Sequence, residues 1–285
     1  MNPNLHFDYT TLGHVTIDVM PDGSRRPGGT AFYGALQAAR LGRRTLIVTR
    51  GAAPEIDELL APYSAELAFE VLPAPATTTL ATSGSGTERT QRMLAWAGPL
   101  PEDLRLDTAI LHLAPVAREL PTRWLGEASF VGLTPQGLAR RWAGAGEELS
   151  LVEPSDTAVA LAERCDAIVI SEHEQASCAR LLARATDAGA IVAVTAGGDP
   201  NRILLTDGRA LELDVPPIEE PHEDLGAGDV FAAAFFVALA EGRAVQHAVA
   251  FANAAAAVRM QGSGADAIGG RAAIEARQRA AASAG

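Results

Sequence analysis

Pro221 to Gly242, reading PHEDLGAGDVFAAAFFVALAEG, is the stretch whose reading decides the fold. A polar, proline-led approach ends in Gly226-Ala227-Gly228-Asp229, and an apolar helix-forming run follows at once. Two glycines leave the backbone free to curl, so that successive N–H groups face one point. The helix that starts here adds its own unpaired N–H groups and roughly half a unit of positive charge. Such a corner holds anions, phosphate above all. Asp229 then sets a carboxylate in the first helical turn, beside the anion. Taken alone, that Asp is equally an ordinary cap; the rest of the chain decides between the two.

After this helix two more are expected, Ala244 to Met260 and Gly270 to Ala282, with no repeat or linker. Before it, β-branched runs alternate with helical stretches. Strands are expected at Phe7 to Leu12, Thr45 to Thr49, Ala109 to Leu113, Ser129 to Leu133, Leu149 to Val152, Ala167 to Ile170 and Ile191 to Thr195. Helices are expected at Thr30 to Leu41 and Glu172 to Ala188, and a hairpin through Asp207-Gly208. This rhythm predicts an α/β protein of three layers, with a mostly parallel central sheet covered on both faces. His14 to Asp18 alternates and ends in a carboxylate, and two Thr-rich pieces, Thr77 to Thr82 and Thr87 to Leu94, read as exposed strands with Gly84 and Gly86 turning between them. In an open α/β sheet, ligands sit at the carboxyl ends of the strands. Asp18, Ser171 to Glu174, Gly197 and Gly226 to Asp229 all follow predicted strands or lie on adjacent loops.

Composition narrows the function. The 285 residues carry a formal charge of −12, which disfavours nucleic acid and anionic membranes as partners. All 23 basic residues are arginine. That excludes a P-loop lysine and Schiff-base chemistry, so any phosphate must be held by backbone, Arg or metal. Cys165 and Cys178 form neither a metal pattern nor a disulfide framework, and a reducing cytoplasm is the expectation. The start, MNPNLHFDYT, lacks a basic n-region and an apolar h-region, so no signal peptide is expected. Val230 to Ala240, the longest apolar run, is far below the ~20 residues a membrane helix needs. The six histidines show no i, i+4 metal pairing, and no G-x-S-x-G supports a hydrolase.

Four pieces in order resemble the ribokinase-like (PfkB) carbohydrate kinases: Gly13-x-x-x-x-Asp18, Gly28-Gly29 opening a helix, Thr195-x-Gly197, and Gly226-Ala227-Gly228-Asp229. The resemblance covers nearly the whole chain, residues 1–285 as one kinase domain, with a small β lid at about 15–27 and 77–94. It implies ATP-dependent, Mg2+-assisted phosphorylation of a hydroxyl on a small sugar or polyol. Asp229 is then the general base and the Gly226, Ala227 and Gly228 amides the anion hole. Asp18 matches the aspartate that binds sugar hydroxyls, and Gly28 and Gly29 allow close backbone approach. Tyr33 stands near a position that is often Asn in the family, and is either a pocket wall or core packing.

Thr87 to Arg92, His112 to Pro115 and Gln136-Gly137 resemble the inositol kinase-like branch, with Arg89 and Gln91 expected on one strand face toward the acceptor. Ser171 and Glu174 fall where the family has Asn-x-x-Glu, which makes Glu174 the magnesium-associated carboxylate. Thr195, Gly197 and Asn253 match the nucleotide site, while Pro200 replaces a later glycine. Glu223 replaces an aspartate associated with monovalent-cation binding, which puts potassium in doubt. The resemblance also allows a homodimer through the lid. Two other readings stay open: a nucleoside kinase of the same fold, and a non-catalytic small-molecule binder, motivated by Ser171, Pro200 and Glu223.

Overall fold

The computed structural model describes residues 7–218 and 221–284. Met1 to His6, including most of the stretch read for a leader, lie outside them. Along the chain run β1 (Phe7–Leu12), β2 (Thr16–Val19), β3 (Arg25–Gly28), α1 (Thr30–Arg40), β4 (Thr45–Gly51), α2 (Ala53–Leu60) and β5 (Ala68–Pro73). There follow β6 (Thr79–Ser83), β7 (Thr90–Ala95), β8 (Thr108–Leu113), β9 (Ala128–Leu133), β10 (Arg140–Arg141), β11 (Ser150–Leu151), α3 (Asp156–Ala162) and β12 (Ala167–Ser171). The rest comprises α4 (Glu172–Gln175), α5 (Ala179–Asp187), β13 (Ile191–Ala196), β14 (Asp199–Leu204), β15 (Ala210–Leu213), α6 (Ala227–Ala240), α7 (Val245–Met260) and α8 (Arg271–Ala284).

Nine strands form the central sheet in the order β15-β14-β13-β12-β9-β8-β1-β4-β5. Pairing is parallel from β5 through β13, and antiparallel through β14 and β15 at one edge. The pleat explains why these strands read as continuous apolar runs: neighbours face opposite layers. On β12, Val169 packs with α1 and α6 to α8, whereas Ile168 and Ile170 pack with α3 and α5. Helix α6 is buried nearly all round, from Val230 to Ala238. That is why its sequence shows no polar face. Its Phe236 ring lies where a side chain at Gly132 of β9 would otherwise sit. Among the described residues, no helix is long and apolar enough to cross a membrane.

Four other strands build a second sheet, β3-β2-β6-β7, over the carboxyl ends of the parallel strands. The turn between β6 and β7 uses Gly84 and Gly86 at φ 74° and 54°.

Three expectations change. Glu172 to Ala188 is two helices, not one. Residues Cys178, Leu181, Leu182 and Ala185 form a buried stripe, while α4 buries no residue and so gains no packing to extend it. Ser150–Leu151 is not a strand of the central sheet but pairs with Arg140–Arg141. The reason lies one residue earlier, where Leu149 N–H donates to Gln91 O and ties the segment to the lid edge. Strand β5 and helix α2 escaped the sequence reading altogether.

Gly132→Ala would press a methyl into the Phe236 ring and α6 could not shift without leaving the sheet. We expect a loss of about 1–3 kcal/mol, read as a melting temperature lower by several degrees; an unchanged Tm would contradict this packing.

Candidate active site

Gly226 leads into α6 in the left-handed conformation, φ 79° and ψ 0°. A Cβ there would meet both the strained backbone and the ring of Tyr33. The turn closes with Ala227 N–H donating to Asp224 O at 3.1 Å. Of the three amides expected in the anion hole, that of Ala227 is thus committed within the turn. Gly228 is exposed, with open space beside its Cα.

Asp229 meets a second helix N-terminus. Gly29, at φ 85°, leads into α1, whose first residue Thr30 donates from Oγ1 to Asp229 Oδ1 at 2.8 Å. Gln136 Nε2 lies 3.4 Å from the same oxygen and donates to Thr30 Oγ1 at 2.6 Å. Both contacts fall on Oδ1. Burial pushes the Asp229 carboxyl up to about 6; Thr30 and Arg140 pull it down, and Glu174 and Asp18 push it up.

Asp18 sits within lid strand β2 (Thr16–Val19), in the lid segment where the sequence reading put it. It is 3% exposed, and burial raises it to about 6 against the hydrogen bond that Thr16 Oγ1 donates at 2.8 Å. Any side chain at Gly28 would collide with its carboxylate. Gly28 thus makes room for Asp18.

Arg140 acts electrostatically on both acids, and sequence reasoning missed it because an Arg-Arg pair in a loop looks like solvated surface. It donates to Val116 O at 3.1 Å and to Gln91 Oε1 at 2.8 Å, joining the core to the lid. Burial lowers its pKa, while Glu174, Asp229, Asp18 and Glu119 favour its charge. Glu119 was also missed. Fully buried, it accepts from the amides of His14 (2.9 Å), Val116 (2.8 Å) and Ala117 (2.6 Å), fixing the loop behind Arg140.

The lid rests on the approach to the anion hole. Asp224 accepts from Gly86 N–H at 2.9 Å and from Arg89, and Arg26 lies 3.6 Å from Glu223. Arg89 precedes β7 and does not share a strand face with Gln91, contrary to expectation. Tyr33 is 2% exposed with its ring under Gly226, which makes it a support beneath the turn.

The nucleotide-side residues are partly engaged. Ser171 and Glu174 form a capping box on α4, with Ser171 Oγ donating to Glu174 Oε2 at 2.5 Å. Thr195 Oγ1 donates to Ile170 O at 3.3 Å, and Gly197 follows in an exposed turn at φ 61°. Asn253 accepts from Asn201 Nδ2 at 2.8 Å and donates to Asp214 O at 3.4 Å. Beside it opens a largely apolar cavity of about 360 Å³, bordered by Pro216, His247, Ala254 and Arg277. Among the described residues, no cluster of three or more His, Cys, Asp or Glu side chains offers a metal site.

Residues 141–268 match the pfkB family carbohydrate kinases. No curated protein matches the chain. A pyrophosphate-dependent kinase of the ribokinase family, solved with a pyrophosphate analog and myo-inositol, is 21% identical at TM-score 0.72, covering 88% of this chain and 94% of that one. Arabidopsis thaliana ribokinase with ribose and ATP is 18% identical at TM-score 0.71, covering 96% and 98%. Vibrio cholerae fructokinase with fructose, ADP and potassium is 19% identical at TM-score 0.70, covering 95% and 98%.

The raised acid at Asp229 has a consequence for stability. A carboxyl whose folded pKa is about 6, above its usual 3.8, favours the fold fully below pH 3.8 and loses that contribution as pH rises through about 6. Asp229→Asn is expected to melt higher than the parent at pH 7.5, the gap closing toward pH 4; a gap independent of pH would contradict the buried acid. In sequence over residues 141–268, and in fold over the whole chain, the protein resembles the ribokinase-like (pfkB) carbohydrate kinases, whose activity class is phosphotransfer to an alcohol group.

Proposed function

We propose that the protein transfers the γ-phosphoryl group of ATP to a hydroxyl of a small sugar or polyol, with Asp229 as general base. The observation that carries this reading is the corner itself: a fixed carboxylate in the first turn of α6, beside exposed backbone amides, with Asp18 and Arg140 facing it under a lid. A hydroxyl positioned by Asp18 gives its proton to the free oxygen of Asp229 as its oxygen bonds to phosphorus and the bond to the leaving phosphate breaks. The amides of Gly228 and Asp229 and the Arg140 guanidinium meet the charge on the transferring group. Phosphoryl transfer needs little else from the protein, because positioning and neutralisation do most of the work.

Magnesium fits in one respect. Both bonds to the Glu174 carboxylate fall on Oε2, which leaves Oε1 to hold the ion through water. When bound, the ion neutralises donor phosphates. The polar wall of Asp18, Gln91 and Arg140 suits a polyhydroxylated acceptor, a cyclitol or sugar, better than a nucleoside base. Leu94 and Trp96, 41% and 40% exposed on the lid, support pairing of two lids in a homodimer. Two buried free thiols, Cys165 and Cys178, suit a reducing cytoplasm.

One observation favours a second donor. The cavity beside Asn253 suits a nucleotide base, yet the Asn253 amide is already satisfied by Asn201 and Asp214. A donor without a base, pyrophosphate, would need neither.

Product formation from a panel of inositols, sugars and nucleosides, with ATP-Mg and pyrophosphate-Mg side by side, tests both readings. Asp229→Asn is expected to lose about 10²–10⁴ in kcat. Turnover surviving that substitution would remove the mechanism, and binding without turnover in the parent protein would make it a sensor.

A further inference from the structure

Among the described residues, Arg259 is the largest fully buried side chain. It stands in the last turn of α7, where the helix C-terminus favours a cation. Main-chain oxygens accept from both terminal nitrogens of its guanidinium, while the buried Nε has no partner. Nη2 donates to Leu225 O at 2.6 Å, and Nη1 to Gly262 O at 3.1 Å and Glu223 O at 3.5 Å. The Glu223 carboxylate lies 3.7 Å away and accepts from Gly264 N–H at 2.8 Å, so it draws the loop after α7 into the same cluster. The guanidinium also sits 5.8 Å from the centre of the Tyr33 ring, the ring on which Gly226 turns.

Three carbonyls and a carboxylate converging on one point make a cation site by their chemistry. Here the cation is covalently attached. Two of those carbonyls, Glu223 and Leu225, belong to the residues that lead directly into Gly226 and the anion hole, and carbonyls left facing each other would repel. The guanidinium therefore sets the height and angle at which Gly228 and Asp229 meet the phosphate.

We infer that Arg259 is a positioning residue for phosphoryl transfer, a tethered cation that holds the Glu223–Gly226 turn in place and makes the protein independent of monovalent cations. The inference rests on the kinase reading for its effect on rate, but its cation claim does not. Glu223 belongs to the same device: its longer side chain spans from the turn to Gly264 while still facing the guanidinium.

The test pairs the parent protein with Arg259→Met, which keeps the volume and removes the charge. In the parent, kcat and the Tm without substrate should be the same in potassium and in tetramethylammonium at equal ionic strength. Arg259→Met should lose on the order of 10²-fold in kcat with the acceptor KM little changed, as misplacement of reacting groups does. Guanidinium or potassium at low millimolar concentration should restore much of the rate and raise the Tm of this variant but not of the parent. A parent that requires potassium, a folded variant with parental kcat, or a loss relieved by no small cation would each overturn the inference. Should Arg259→Met not fold, Arg259→Lys decides: one ammonium cannot serve three carbonyls in the guanidinium fork, so kcat should fall about tenfold, and parental kcat would overturn the claim. Because the Tm comparison needs no substrate, a parent without turnover would end the kinase reading and leave this one to be judged on the Tm alone.

Discussion

The structure depends on the contact between two helix N-termini through a single carboxylate. Thr30 begins α1 and Asp229 lies in the first turn of α6, and the hydrogen bond between them fixes both helices over the middle strands of the parallel sheet. Each of the two turns that lead into these helices requires glycine. At Gly29 and Gly226 the backbone takes positive φ, and a side chain at either would strike His14 O or the Tyr33 ring. The chain cannot relax either turn without moving a helix that is packed against the sheet. Electrostatics follows from that rigidity, because a carboxylate enclosed by two helices and a lid is poorly solvated and its pKa rises.

Charge is handled by arginines with three different tasks. Arg140 bridges core and lid within electrostatic reach of the two acids, Arg89 fastens the lid to Asp224, and Arg259 gathers the carbonyls below the turn. A planar fork reaches several acceptors at once, which an ammonium does not do as well. In a chain whose basic residues are all arginine, this versatility replaces the lysine that many phosphate sites employ.

Most of the fold was legible because its signals are local. Most of the strands from β1 to β13 announce themselves as β-branched runs, and α6 as an apolar run behind Gly-Ala-Gly-Asp. Asp18, Gly28 and Asp229 stood out because each sits in a short motif, and the fold brings all three to the junction of lid and core. What the sequence concealed are residues that act across long separations. Gln136 and Thr30 are 106 positions apart, and Glu119 and His14 are 105 apart; no window of sequence displays either pair. Arg140 and Arg259 drew no reading, because nothing nearby in sequence reveals what they reach. The break between α4 and α5 was hidden for a related reason: helix propensity continues through it, and only packing chooses where the buried stripe begins.

The pH dependence of phosphoryl transfer, followed as kcat/KM with saturating donor, tests the central claim most directly. The claim that Asp229 accepts the acceptor's proton from an enclosed site predicts a rate that rises about tenfold per pH unit below about 6 and levels off above it. A rate that stays flat from about pH 5 to about pH 8, or that breaks near the ordinary carboxylate value, would contradict it.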